Sequence, residues 1–362
     1  MRIGIIAPFI RPVCLPSTGG IETCVYLLAS GLAKRGHQVT LFASKESKVP
    51  GVEIVHFDTY AKDIKYALPL DRMPPARFLE IHARETFVHQ NILSHIANHT
   101  FDIVHSNSWF WLYFLITPFV AKPPIVHTLY QIANYPTLVN AVKLLPKHVA
   151  RQMVAISSIV KDSYAKATGI MVNRVIHFGI DSELLGPFQP SIPRPQFIWI
   201  GRIVKEKGPD IAIQIARATG YQLSLLGPID DADFFENKIQ PHLDSDIEYL
   251  GVRTWDEMRC LVLDASAMLV TTRFPEGFSW VALEGLAWGC PVVTTTKCGI
   301  AEIPRISEYI FELKDGTFDN LADVLNLLSD IDREEISNVA RNELPISRMI
   351  DKYENYFYEI VG

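Results

Sequence analysis

Residues 267–296 read as strand, loop, helix and strand, and this rhythm most narrows the folds open to the chain. An apolar run at 267–270 leads into Arg273-Phe-Pro-Glu-Gly277. A helical stretch follows, stops at Gly289-Cys290-Pro291, and gives way to a β-rich run at 292–296. A strand that returns to a strand through a helix is the unit of α/β proteins. Two carboxylates lie eight residues apart here: Glu276 in the loop, and Glu284 as the one charge in an otherwise apolar helix. Eight residues of helix rise roughly 12 Å, so these acids cannot share one proton or one metal ion. They can reach the two ends of an extended ligand, and the helix N-terminus between them offers N–H groups to an anion. On spacing alone, an ordinary βα unit with both acids in water fits as well.

The same rhythm runs through the whole chain. Ile3-Gly-Ile-Ile-Ala7 is a continuous apolar run, as in a central parallel strand covered on both faces. A long loop closes with Thr18-Gly19-Gly20, a helix is expected over 21–35 with Gly36 as its cap, and a strand over 37–42. A polar helix is expected over 80–98, and strands over 101–105, 124–128 and 152–157. Residues 183–195 hold Pro187, Pro190, Pro193 and Pro195 with little periodicity and read as a linker. Strands resume at 197–201, 222–227 and 247–251, with helices over 209–218 and from Thr254 to 263, and the tail from Gly316 is helical in pattern. With 362 residues there is room for two domains, placed at 1–185 and 186–345, with a last helix over 346–362. Two βα sheets in succession imply a cleft between them, a common place for a ligand.

Three further features carry chemistry. Gly19 and Gly20 open a helix, where absent Cβ atoms and N–H groups suit a phosphate or a hydroxyl. They come too late after the first strand for the dinucleotide fingerprint, which counts against a nicotinamide enzyme. His105 and His127 stand at or near the C-terminal ends of two strands, where open α/β sheets bind ligands. Gly201-Arg-Ile-Val-Lys-Glu-Lys-Gly208 places Arg202 and Lys207 at a strand's C-terminal edge, two cations suited to a diphosphate; a solvated basic turn is the plainer alternative.

The formal charge of −6 gives the molecule no overall attraction for nucleic acid, which is excluded as a partner. The five cysteines are odd in number and lack C-x2-C spacing, which suits reduced thiols in a cytoplasmic protein. The most apolar segment, 109–120, is broken by Pro118 and is too short to span a bilayer, which takes about 20 residues. It reads as a buried helix. With the stretch from Lys62 to Arg84 it leaves peripheral contact with the inner face of a membrane open.

Taken in order, the Gly-Gly loop, strand-end histidines, proline linker, G-R-x4-K-G and E-x7-E resemble the retaining GT-B glycosyltransferases of family 4, also described as glycosyl transferases group 1. The resemblance covers essentially the full chain. It implies an α/β GT-B fold, two Rossmann-like βαβ domains facing a deep interdomain cleft, with the last helix crossing back to the first domain. It implies transfer of a hexose-type sugar from a UDP- or GDP-sugar to an acceptor hydroxyl, with retention at the anomeric carbon. Arg202 and Lys207 would hold the leaving diphosphate, Glu276 the donor sugar and Glu284 the ribose. Gly277, Phe278 and Ser279 would lie at the phosphate, Val252 beside the base, and Gly19 and Gly20 beside diphosphate and acceptor. His127 would border the sugar and His105 the acceptor side. Ser279 stands where the family often has Gly, Ile300 where a second Gly is common, and Phe178 where Asn is usual. No cofactor is expected, and no metal either; the two cations stand in for one. The acceptor would be a small molecule, a glycan or a lipid-linked molecule, and the oligomeric state is left open. A sugar-nucleotide epimerase or hydrolase on the same scaffold, or a non-catalytic nucleotide-sugar binding protein, remain as alternatives; turnover of donor without acceptor separates them.

Overall fold

The computed structural model describes residues 1–9, 11–15, 19–57, 74–108, 122–313 and 318–362. The helix expected at 109–120, Thr18 and the larger part of the stretch from Lys62 lie outside the described residues. The chain divides into two compact units, Met1–Phe178 with Ile346–Gly362, and Gly179–Pro345.

The first unit is built on a parallel sheet. Its elements are β1 (Arg2–Ile6), α1 (Gly20–Lys34), β2 (Gln38–Ser44), β3 (Glu53–Phe57), α2 (Pro75–Asn98), β4 (Ile103–Ser106), β5 (Ile125–Leu129), α3 (Pro136–Lys143), β6 (Met153–Ala155), α4 (Ser158–Thr168) and β7 (Arg174–Val175). The seven strands run in the order β3-β2-β1-β4-β5-β6-β7. β1 pairs in parallel with both β2 and β4. Ile3, Ile5 and Ile6 have no exposed surface, as a strand covered on both faces requires. The cap of α1 is Arg35 rather than Gly36; Gly36 follows it with φ +86, the left-handed position that ends a helix. The last helix, Ile346–Val361, packs on α1. A Cβ on Gly31 would stand 2.2 Å from Ile350 Cδ1, and Arg35 bonds both Asp351 and Glu354.

The second unit opens earlier than its proline run suggests. Ile180 donates its N–H to the Leu344 carbonyl (2.6 Å) and the Trp288 indole donates to the Leu185 carbonyl (3.1 Å), so residues 179–185 belong with it and the boundary moves from 185 to 178. Its elements are β8 (Arg194–Ile200), α5 (Pro209–Thr219), β9 (Gln222–Leu226), β10 (Ile247–Gly251), α6 (Trp255–Asp264), β11 (Ala265–Val270), α7 (Trp280–Ala287), β12 (Val292–Thr294), β13 (Ile310–Glu312), α8 (Leu321–Ser329) and α9 (Arg333–Glu343). The linker thus ends before Pro195, which lies within β8. The six strands run β10-β9-β8-β11-β12-β13, again with parallel neighbours. Phe197, Trp199, Ile213, Leu225, Leu269 and Val293 form its core. Thr254 caps α6 in a capping box with Glu257. At the other end, the buried Arg333 guanidinium donates to the carbonyls of Val262, Leu263, Ala265 and Gly289 at 2.8–3.2 Å. Those include the last carbonyls of α6, which lack partners within the helix.

In each unit the chain runs outward from one strand in opposite directions. β1 lies between β2 and β4, and β8 between β9 and β11. At such a reversal the loops leaving the two neighbouring strands part, and the crevice at their carboxyl ends receives ligands.

Candidate active site

In the second unit, the strands flanking the reversal are β8 and β11, and both charged motifs leave their carboxyl ends. After Ile200, Gly201 donates its N–H to the Leu226 carbonyl (2.9 Å) and Ile203 to the Pro228 carbonyl (2.8 Å). Lys205–Lys207 make one tight helical turn and Gly208, with φ +66, starts α5. Only glycine fits at 208: a Cβ there would stand 2.0 Å from the Thr271 carbonyl oxygen. Thr271 Oγ1 donates to the Gly208 carbonyl (2.6 Å) and receives the Trp199 indole N–H (3.0 Å), fastening the two loops at their roots.

Arg273 fastens them further out. Its guanidinium makes a two-pronged bond to Asp210 (3.0 and 2.6 Å), also donates to the Lys205 carbonyl, and its backbone N–H meets the Glu206 carbonyl (2.9 Å). Across this fastened junction Lys207 Nζ lies 3.1 and 2.9 Å from the two oxygens of Glu276. Arg202 leaves the same loop and pairs with Asp230 at 3.3 Å. Arg202 and Lys207 keep 41% and 32% of their side-chain surface in solvent, so both cations are held in place yet accessible.

Glu276 is positioned by backbone. Its N–H bonds the Lys297 carbonyl and its carbonyl receives the Gly299 N–H, both at 2.9 Å. The Phe278 carbonyl receives the Ile300 N–H (3.2 Å) and the Cys298 thiol (3.1 Å). Ile300 has no exposed surface, so its side chain joins the core where the family's glycine would leave space. Burial, with the charge of Glu276 next, pushes the Cys298 thiol up to about 12, so it stays protonated. Gly277 and the buried Phe278 continue the loop to Ser279, which has φ +79, a backbone that favours glycine. Ser279 offsets that strain by capping α7: its Oγ accepts the Ala282 N–H at 3.4 Å.

Glu284 is on the next turn, 5% exposed, and its Oε1 accepts the Trp280 indole N–H at 2.7 Å. Burial raises its carboxyl to about 7, and the indole hydrogen bond opposes the rise. Beside these loops, glycine marks three strand ends: Gly201 follows β8, Gly227 follows β9, and Gly251 is the last residue of β10. A Cβ on Gly227 would stand 1.9 Å from the Gly201 carbonyl oxygen, so the backbone there is uncovered by necessity. Val252 follows with half its surface exposed.

The histidines and paired glycines lie in the first unit. Gly19 and Gly20 begin α1 as expected, with no side-chain cap on the helix. The buried Glu22 carboxylate fills the place of a Gly19 side chain, 2.0 Å from an added Cβ. His105 is fully covered. Tyr130 donates to Asn107 Oδ1 (2.6 Å), which turns Asn107 Nδ2 to His105 Nδ1 (3.5 Å) and leaves His105 Nε2–H for Thr128 Oγ1 (2.7 Å). Thr128 in turn meets Tyr353 OH at 2.9 Å. His105 is thus a buried strut between the sheet and the last helix, with both ring nitrogens engaged by Thr128 and Asn107. His127, on the neighbouring strand, is 1% exposed, and burial pushes its imidazole down to about 3. It is neutral and can serve as a hydrogen-bonding group only. Asp210, Asp230, Arg273 and Trp280 were not singled out from the sequence. Arg273 and Asp210 bracket the two motifs, but only the fold shows that they meet.

Residues 18–184 match the model of Glycosyltransferase Family 4 and residues 194–330 that of Glycosyl transferases group 1. An uncharacterized glycosyltransferase of Methanocaldococcus jannaschii is 31% identical over 132 residues, 36% of this chain and 36% of its own length. A D-inositol 3-phosphate glycosyltransferase of Pseudarthrobacter chlorophenolicus is 24% identical over 345 residues, covering 83% of this chain and 80% of the relative. Among solved structures, Anabaena HepE in complex with UDP aligns over 99% of this chain and 100% of its own with TM-score 0.71 and 17% identity. It has also been solved in complex with UDP-glucose. The two parallel sheets, each with its Rossmann-like reversal, are those of a GT-B glycosyltransferase. The chain belongs to the glycosyl transferases group 1 family.

Proposed function

We propose that this glycosyltransferase moves a hexose-type sugar from a UDP- or GDP-sugar to an acceptor hydroxyl, retaining the anomeric configuration. The observation that carries this reading is the meeting of Lys207 and Glu276 across two loops that leave β8 and β11 at the sheet's reversal. That UDP and UDP-glucose bind Anabaena HepE supports a uridine donor.

Cleavage of the donor gathers negative charge on the departing diphosphate. Arg202, Lys207 and the N–H groups entering α7 at Gly277 and Phe278 would meet that charge where it develops. Glu276 would accept hydrogen bonds from the sugar hydroxyls and Glu284 from the ribose, with Val252 beside the base. Glu276 and Glu284 are not the pair that a retaining glycosidase uses, whose carboxyls flank one bond at about 5 Å. The acceptor hydroxyl would therefore attack on the face the diphosphate leaves, the diphosphate taking its proton. Gly19, Gly20 and the neutral His127 would contribute hydrogen bonds to hydroxyl groups.

The two cations would do the work of a metal ion, and we propose a metal-independent reaction. No group of three or more His, Cys, Asp or Glu among the described residues is arranged to hold a metal. Among those residues no helix is long and apolar enough to cross a membrane. We place the reaction in the cytoplasm or at the inner face of its membrane, with a small-molecule, glycan or lipid-linked acceptor. A panel of UDP- and GDP-hexoses with candidate acceptors tests the reading. Product formation with unchanged anomeric configuration, undiminished by EDTA, is expected. Inverted product, or release of free sugar alone with every acceptor, contradicts it.

A further inference from the structure

Glu284 is the one charge between Trp280 and Ala287, a helix otherwise made of apolar residues. Among the described residues the Trp280 indole is the only hydrogen-bond partner of its carboxylate. The two are four residues apart, one turn of helix, so the indole N–H reaches Oε1 along the helix surface. A carboxylate can accept about four hydrogen bonds, and a buried one with a single partner is left with unmet demand. The indole is a donor with no acceptor of its own, so it fixes the carboxylate without competing for a ligand's hydroxyl hydrogens. Oε2 and the second lone pair of Oε1 are then presented in one orientation, a pattern that fits two neighbouring hydroxyls.

We propose that Trp280 is a positioning residue through which Glu284 selects ribose over deoxyribose in the donor nucleotide. This rests on the reading above that Glu284 meets the ribose. A free carboxylate could turn to follow whichever hydroxyl remains. A fixed one loses a partner when the 2′-hydroxyl is absent, and selectivity depends on that loss.

Calorimetric titration with UDP and 2′-deoxy-UDP, and with GDP and 2′-deoxy-GDP, tests this on the wild type, Trp280→Phe and Glu284→Gln. Melting curves first establish that each variant is folded. The wild type is expected to prefer the ribonucleotide by about tenfold or more, the size of a hydrogen bond to a charged group. Trp280→Phe keeps the aromatic ring and loses the N–H. It is expected to bind both diphosphates while losing most of the preference, and Glu284→Gln to lose it as well. If Trp280→Phe keeps the full preference while Glu284→Gln loses it, Glu284 reads the ribose unaided and the proposal is wrong, with the functional reading intact. If Glu284→Gln also keeps the preference, the assignment of Glu284 to the ribose fails. If the wild type binds neither diphosphate, the functional reading fails first.

Discussion

Lys207 Nζ straddles the carboxylate of Glu276, 3.1 Å from one oxygen and 2.9 Å from the other, and so joins two loops that are 69 residues apart in the chain. In the proposed reaction the donor would part these two charges, the lysine meeting a phosphate and the acid a sugar. Glu276→Gln removes the competitor for the lysine. Sugar transfer should fall by two orders of magnitude or more, on the order of 3 kcal/mol of transition-state binding. Affinity for the bare nucleoside diphosphate should hold or tighten. Kinetics paired with calorimetry reads both, and a parallel loss of the two would mean that Glu276 does not act on the sugar.

Arg273 and Asp210 hold those loops in register through a two-pronged bond. Both side chains are partly screened by solvent, so Arg273→Ala should cost only about 1–2 kcal/mol of stability. Turnover should suffer more, because the reacting groups lose their alignment. Arg273→Lys, which keeps charge but not the fork, should restore part of the stability and little of the turnover. Full recovery of kcat in the lysine variant would show that charge alone suffices.

Ser279 separates two opposing effects. Its φ of +79 disfavours any side chain, yet its hydroxyl caps α7. Glycine at this position relieves the strain and loses only a few tenths of a kcal/mol of capping, whereas alanine keeps the strain and loses about 1 kcal/mol. Ser279→Ala should therefore melt below Ser279→Gly, although alanine is the better helix former. The reverse order would mean that the backbone relaxes out of the left-handed region.

Two buried carboxyls give the stability a pH dependence. Burial raises Glu85 on α2 to about 7 from an ordinary 4.5, and Glu284 likewise. A folded state that holds the proton more tightly has its full advantage below pH 4.5 and loses it as the pH rises through 7. His89 works the other way: lowered to about 4 by burial, it costs stability as the pH falls below its ordinary 6.5. Because Glu85 Oε2 lies 3.5 Å from His89 Nδ1, comparing Glu85→Gln with the wild type reads the carboxyl together with that contact. Between pH 5 and 8 the variant should gain on the wild type by roughly 2–3 kcal/mol. A constant gap across that range would contradict the buried, proton-holding state.

The strands that position the site were legible because β1 and β8 lie inside their sheets and read as unbroken apolar runs. β3 was missed: it lies at a sheet edge, and Glu53 and His56 interrupt its half-exposed pattern. Arg202, Lys207, Glu276 and Glu284 were legible as charges at strand ends or inside an apolar helix. Their partners were not. The Arg202–Asp230 and Arg273–Asp210 pairs join residues 28 and 63 positions apart, and nothing local foretells which loops the sheet order brings together. His105 misled for the same reason. A strand-end histidine reads alike whether it faces a ligand or, as here, the Thr128–Tyr353 hydrogen bond, whose members are 225 residues apart. The boundary between the units was placed at the prolines, while the backbone crosses over earlier, where Ile180 bonds Leu344.

The central claim is that the loop from Gly201 to Gly208 grips a diphosphate. Calorimetric titration of the wild type and of the Arg202→Ala/Lys207→Ala double variant with UDP and UMP, and with GDP and GMP, measures that grip. For one base or the other, the wild type should bind the diphosphate far more tightly than the monophosphate. The double variant, with its melting curve intact, should lose about 3 kcal/mol of that advantage, some hundredfold in affinity. A double variant that binds the diphosphate as tightly as the wild type would contradict the account.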